Sequence, residues 1–330
     1  GVIIKSGEIL ETMGKVDTMA FDKTGTLTRG QLAVQSILAV DTDYSETDIL
    51  QLAASAEAKS EHPIGKAIVS HAIEQDLEIL DTTSFTMFVG KGIIAVIKGR
   101  ELYCGNERFL EEHNIIVSES IQQAINVYRS EGKVSVIIAD REHIIGIITL
   151  SDTMRNDAIN MISAISSLDM TTVLLTGDSK EAATYIGKKS GVSEIHAALL
   201  PGEKVSIIES LQGKHHKVCM VGDGINDAPA MKTADVSIAM GTIGSDIAIE
   251  TADIALMSDD LSKIPYIKRL SDATIKTIKF SIALSMAINC IAIILSLLEV
   301  LTPTTGALVH NVGSCLVVLI AARLYDRKFI

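Results

Sequence analysis

Five short apolar runs, at residues 16–22, 172–175, 217–221, 236–239 and 254–257, each lead into a polar turn. Helix-like stretches near 155–168, 180–190, 203–212, 226–233 and 245–251 separate them. Strands alternating with helices point to a parallel, doubly wound sheet, because each parallel neighbour needs a crossover to bring the chain back. Ligands of such sheets bind outside the carboxyl ends of the strands. The sharpest polar motifs fall there: the run Asp22-Lys23-Thr24-Gly25-Thr26-Leu27-Thr28, then Thr176-Gly177-Asp178, then Gly222-Asp223-Gly224.

Residues 34–147 interrupt the alternation. Helical stretches at 46–58 and 63–76 precede strands with turns at Gly90, Gly92, Gly99 and Gly105. A helix-like run at 117–131 and strands at 134–139 and 144–150 follow. The expectation is an inserted α+β domain, 34–147, within a discontinuous first domain, 1–33 and 148–265. From 266 to 330 the pattern becomes that of a membrane hairpin, with spans at about 278–298 and 305–323. Phe280–Leu298 carries no charge over nineteen residues, about 28 Å of helix. Lys268, Arg269, Lys276 and Lys279 precede the first span, and Arg323, Arg327 and Lys328 follow the second. The connecting turn has no positive charge, which puts both outer ends in the cytoplasm.

Composition excludes some classes. A net charge of −12 argues against a nucleic-acid partner, which demands clustered Lys and Arg. The four cysteines, Cys104, Cys219, Cys290 and Cys315, lie far apart with no CxxC pair, so a disulfide framework is not expected and a reducing compartment is the simpler reading. The start Gly1-Val2-Ile3-Ile4-Lys5 has no Met and no signal-peptide design, and reads as a cut end.

An Asp at a buried strand end can attack a phosphoryl group as a covalent nucleophile. The approach of two anions must be neutralised, by Mg²⁺ and by a lysine. Asp22, the Thr24 carbonyl, Asp223 and Asp227 offer oxygens for such an ion, and Lys204 offers the point charge. Thr176 and Asn226 can donate to phosphate oxygens, while Gly177 and Gly25 let backbone amides approach. With Lys23 and Asp178, these residues form the candidate catalytic set.

In this order the motifs resemble the P-type ATPases, and within them the heavy-metal (class IB) branch, over essentially all 330 residues. The resemblance implies a haloacid-dehalogenase-like fold, ATP as substrate and an aspartyl phosphate on Asp22. Related phosphatases carry Asp-x-Asp, whose second acid is the general acid/base; here Thr24 stands in that place, so the phosphoenzyme should persist. Ser60-Glu61-His62-Pro63 resembles the His-Pro motif of metal pumps, in which the histidine orients the nucleotide. The same matching assigns Glu57 to the adenine edge, Gly90 and Gly92 to the phosphates, and Gly105-Asn106 to the rest of the pocket. Asp152 and Arg155 match a position where the two domains meet, either as a helix cap with a surface arginine or as an ATP contact.

The resemblance further implies a multi-pass protein of the bacterial plasma membrane, its catalytic domains cytoplasmic. Upstream membrane helices and an actuator domain of the family are missing from this stretch. Asn289, His310 and Asn311 are the candidate ligands of the transported ion. Imidazole with amide oxygen suits a transition metal of the Zn, Cd, Co, Mn, Ni, Fe class better than soft Cu(I). Rival expectations are a soluble phosphatase of the same superfamily and a membrane-tethered nucleotide-binding regulator.

Overall fold

The chain, seen here as a computed structural model, is described over residues 1–224, 227–241, 252–258 and 260–324. It forms two compact units, one of residues 1–21, 159–172 and 201–330, the other of residues 22–158 and 173–200.

In the first unit, β1 (Val2–Ile4), α1 (Gly7–Lys15) and β2 (Thr18–Asp22) open the chain. β2 lies beside β11 (Val218–Gly222), then β12 (Val236–Met240) and β13 (Ile254–Leu256), all parallel, with β1 antiparallel on the outer edge of β13. Every residue of β2, β11, β12 and β13 is buried. Such strands read as unbroken apolar runs, the pattern that marks them in the sequence. The crossovers include α6 (Ala158–Ser166), α8 (Pro201–Gly213) and α9 (Ala228–Thr233). The expected helix at 245–251 lies outside the described residues.

In the second unit, β3 (Thr28–Ala39), β4 (Thr82–Phe88), β5 (Gly92–Ile97), β6 (Arg100–Gly105), β7 (Val134–Ala139) and β8 (Ile144–Met154) form an antiparallel sheet in the order β3-β8-β7-β6-β5-β4. Helices α2 (Glu46–Glu57) and α3 (Pro63–Glu74) cover one face, and α4 (Glu107–Glu112) and α5 (Glu119–Ser130) the other. The period of two is visible along β5. Ile93, Ala95 and Ile97 enter the core under α2 and α3, and Ile94 faces the core under α4 and α5. The same unit holds β9 (Thr171–Leu175, its last three residues), α7 (Lys180–Ser190) and β10 (Glu194–His196), with β9 and β10 parallel.

The last two helices are α10 (Lys263–Leu297) and α11 (Pro303–Ala322). Both are long and apolar enough to cross a membrane, with mean hydropathies of 2.3 and 1.8 over their most apolar windows. The first differs from the expected span in starting at Lys263, because Ile264, Ile267, Ser271 and Ala273 bury themselves within the first unit before the apolar stretch begins. Lys268, one of the basic residues that precede the span, is buried there, and its ammonium lies against the end of α1.

Candidate active site

Asp22 closes β2 and is only 7% exposed. The residues after it cannot continue either strand or helix. Thr24 sits at φ −75°, ψ 129°, and Gly25 at φ +73°, a left-handed turn that glycine adopts at no steric cost. Arg155 holds this loop. It is 7% exposed. Its Nε donates to the Thr28 carbonyl at 3.1 Å, its Nη2 to the Gly25 carbonyl at 3.1 Å, and its backbone N–H to the Leu27 carbonyl at 2.9 Å. Beside it, Thr28 Oγ1 donates to Asp152, which also accepts from the Gln31 amide at 3.2 Å. Burial pushes the Asp152 carboxyl up. The Thr28 hydroxyl, the Lys23 charge and the amides of Gly30 and Gln31 pull it back. The surface-arginine reading of Arg155 is therefore corrected: it is a buried clamp on the loop's carbonyls.

Other members of the candidate set come together in this unit. Lys23 pairs with Asp178. Thr176 is 2% exposed, and its Oγ1 accepts from the Asp178 amide at 3.2 Å. At Gly177 a Cβ would stand 3.2 Å from the Leu199 carbonyl, so the turn has little room for a side chain.

In the first unit, Lys204 Nζ lies 2.6 Å from Asp227 Oδ1, and both side chains are buried. Asp227, read from the sequence as a cation ligand, thus has one oxygen committed to the lysine. Gly222 permits this packing, since a Cβ there would sit 3.1 Å from Asp227 Oδ2 and 3.2 Å from Met231 Sδ. Val221 pairs with Phe21, which brings the ends of β11 and β2 level. Asp223, 8% exposed, follows one of those ends directly. Asn226 lies outside the described residues.

The second unit also contains a cavity of about 540 Å³ that gathers all six expected nucleotide residues, Glu57, His62, Gly90, Gly92, Gly105 and Asn106. Glu57 ends α2 and is 6% exposed; burial pushes its carboxyl up, and a hydrogen bond with Ser60 partly offsets this. His62 caps α3, its Nδ1 accepting from the Ile64 amide at 3.3 Å, so in the neutral ring Nε2 carries the proton. Gly92 and Gly105 face each other across β5 and β6. A Cβ on Gly92 would meet the Cys104 carbonyl at 2.5 Å, and one on Gly105 the Lys91 carbonyl at 2.7 Å. Gly90 makes the turn at φ +74°. Asn106 does more than line the cavity: its Oδ1 caps α4 through the Phe109 amide at 3.0 Å, and its Nδ2 donates to the Gly90 carbonyl at 3.2 Å. Cys104, which no sequence motif marks, also lines the wall; burial, with the Glu57 charge adding to it, raises its thiol well above the usual range.

Between the two long helices, His310 Nδ1 and Asn289 Oδ1 stand 3.2 Å apart, which joins two of the three candidate ion ligands. Among the described residues, Asn311 shares no hydrogen bond with either of them. Among the described residues no three His, Cys, Asp or Glu side chains cluster closely enough to hold a metal ion. All four cysteines are free.

Comparison with known proteins places this geometry in context. Residues 16–235 match the family model for haloacid dehalogenase-like hydrolases. The chain is 38% identical over 329 residues to a copper-exporting P-type ATPase of Staphylococcus epidermidis, covering 99% of this chain and 40% of that protein. It is 36% identical over 332 residues to a cadmium-transporting ATPase of Staphylococcus aureus, covering 99% and 46%. Among solved structures, a zinc-transporting PIB-type ATPase in the E2.Pi state superposes with a TM-score of 0.92 at 37% identity, over 98% of this chain and 52% of that one. The catalytic domain of the CPx-ATPase CopB-B matches with a TM-score of 0.61 at 31% identity, over 81% of this chain and 95% of that domain. The chain thus spans less than half the length of these curated relatives.

Proposed function

Since the chain belongs to the haloacid dehalogenase-like hydrolases and, within them, to the heavy-metal P-type ATPases, we propose that it carries the phosphorylation and nucleotide-binding machinery of an ATP-driven transition-metal pump, with a hairpin of its membrane domain. The observation that carries this reading is the cavity that draws Glu57, His62, Gly90, Gly92, Gly105 and Asn106 together from separate segments. On this reading residues 34–147 bind ATP, residues 1–33 with 148–265 receive its phosphate, and 266–330 cross the membrane with the catalytic domains on the cytoplasmic side.

Each role has a physical basis. Gly92 and Gly105, having no side chains, let phosphates approach the backbone of the cavity wall, and Glu57 lines the cavity, where a base amine could donate to its carboxyl. A carboxylate oxygen of Asp22 attacks the γ-phosphorus, the bond to the bridging oxygen breaks, ADP leaves, and an acyl phosphate remains. Lys204, Thr176 and Asn226 offer the charge and donors that stabilise the transferred group. Lys23, tied to Asp178, and Arg155 keep the loop in place. Asp22, Asp223 and the Thr24 carbonyl are all hard oxygen donors and fit Mg²⁺, which when bound supplies charge neutralisation for the approach. Thr24, in place of a second acid, gives water no local base, so the phosphoenzyme outlives the transfer step.

For the cargo, the Asn289–His310 pair offers an amide oxygen and an imidazole, a set suited to borderline divalent ions. The test is acid-stable labelling from γ-labelled ATP, repeated with Zn, Cd, Co, Mn, Ni, Fe and Cu(I). The expected result is label that depends on a divalent ion and disappears in Asp22→Asn. Rapid phosphate release without any adduct sinks the pump reading, and stimulation by Cu(I) alone sinks the divalent assignment.

A further inference from the structure

Lys268 is a lysine buried to 5% exposure near the start of a helix whose far end is apolar enough to cross a membrane. Nothing in the chemistry above uses it. Its Nζ lies 3.3 Å from the Met13 carbonyl, 3.1 Å from the Gly14 carbonyl and 2.8 Å from Asp272 Oδ1. An ammonium has three donors, and all three find an acceptor. Two of those acceptors belong to the last turn of α1, where the helix dipole is negative; the Met13 carbonyl accepts from the Val16 amide at 3.2 Å as well. An apolar side chain could fill the same space, but it would leave these carbonyls without that donor.

The joint is tight as well as charged. At Gly14 a Cβ would meet Ile275 Cδ1 at 2.4 Å and the Ser271 carbonyl at 3.1 Å, so α1 crosses α10 at backbone distance. Three residues after α1 the chain enters β2, and β2 ends in Asp22. In the other direction α10 runs without a break to Leu297 and carries Asn289, 21 residues beyond Lys268, about 32 Å along the axis.

We propose that Lys268 is a positioning residue that couples the two ends: it pins the segment leading into Asp22 onto the helix that reaches Asn289. A displacement of β2 on phosphorylation is then carried into α10 instead of being lost at a loose joint. This rests on the pump reading of Asp22 and α10.

The test uses the membrane-reconstituted protein with Lys268→Met, Lys268→Arg and Asp272→Asn. Two labels are compared, metal-stimulated phosphorylation of Asp22 from ATP and metal-independent phosphorylation from inorganic phosphate. Lys268→Met should keep the second label while losing metal stimulation of the first by about tenfold, a typical size for coupling between sites. Lys268→Arg, which keeps the charge, should restore much of it, and Asp272→Asn should fall between. Wild-type metal stimulation in Lys268→Met overturns the proposal, as does parallel loss of both labels in Lys268→Met and Asp272→Asn, which marks a merely structural lysine. A wild-type protein without any metal-dependent label overturns the pump reading itself, and is recognised by failing before any variant is made.

Discussion

At the scale of single residues, buried charge does most of the positioning, and Arg155 is the clearest case. Its guanidinium spans the carbonyls of Gly25 and Thr28, a separation that the planar fork of arginine bridges and a lysine ammonium cannot. Arg155→Lys should therefore behave nearly as badly as Arg155→Met. Each should destabilise the protein by about 2–4 kcal/mol through lost charged hydrogen bonds, read by denaturant melts, and slow phosphorylation of Asp22 in single-turnover labelling. Full activity in Arg155→Lys would show that charge alone suffices. Glu57 gives a pH signature. Its carboxyl is raised from the reference 4.5 by burial, so the folded state holds its proton more tightly than the unfolded one. The sign follows: stability owed to Glu57 is present at pH below that reference and is lost as pH rises through the elevated folded value. Glu57→Gln removes that slope. It should flatten the stability profile between acidic and neutral pH while weakening nucleotide binding by roughly 10-fold, the worth of one charged hydrogen bond. Melts at several pH values and a nucleotide titration check both parts.

At the scale of elements, the nucleotide cavity depends on strands that touch without side chains between them. Gly105→Ala places a methyl group 2.5 Å from Phe109 Cδ1 and 2.7 Å from the Lys91 carbonyl. The ring can turn but the carbonyl belongs to the β5 turn, so the strands must part. The expected cost is about 1–3 kcal/mol for overpacking, together with a fall in nucleotide affinity larger than in Gly99→Ala. Gly99 is a useful control because its Cβ would meet nothing within 4 Å, although its φ of +80° adds its own strain. Thermal melts and nucleotide titrations of the two variants decide the matter; equal affinities would mean the close approach is incidental to binding. The sequence could announce these elements because their signals are local. β5 alternates, α2 opens on the Ser45–Asp48 capping box, and His62 precedes Pro63. Helix α1 is less legible: it is nine residues long with glycine at both Gly7 and Gly14, and its close packing on α10 supports it.

Over the whole molecule, what the sequence made legible was whatever concentrates polar residues at strand ends or excludes charge for a membrane's thickness. Asp22, Thr176 and Asp223 stood out because a buried strand should not end in such groups without a use for them. The roles of Lys268 and Arg155 were not legible for the opposite reason. Their acceptors are carbonyls of Met13, Gly14, Gly25 and Thr28, which every residue possesses and which no side-chain pattern advertises. The boundary of the first span was blurred in the same way, since residues 263–277 are helical through tertiary packing and merge with the apolar stretch. That merger has a consequence in angle. A helix turns about 100° per residue, so over the 21 residues from Lys268 to Asn289 the second side chain points about 60° away from the first. The unbroken α10 thus stores a phase: one residue added or removed between those positions would leave its length almost unchanged yet swing Asn289 about a quarter-turn away from His310.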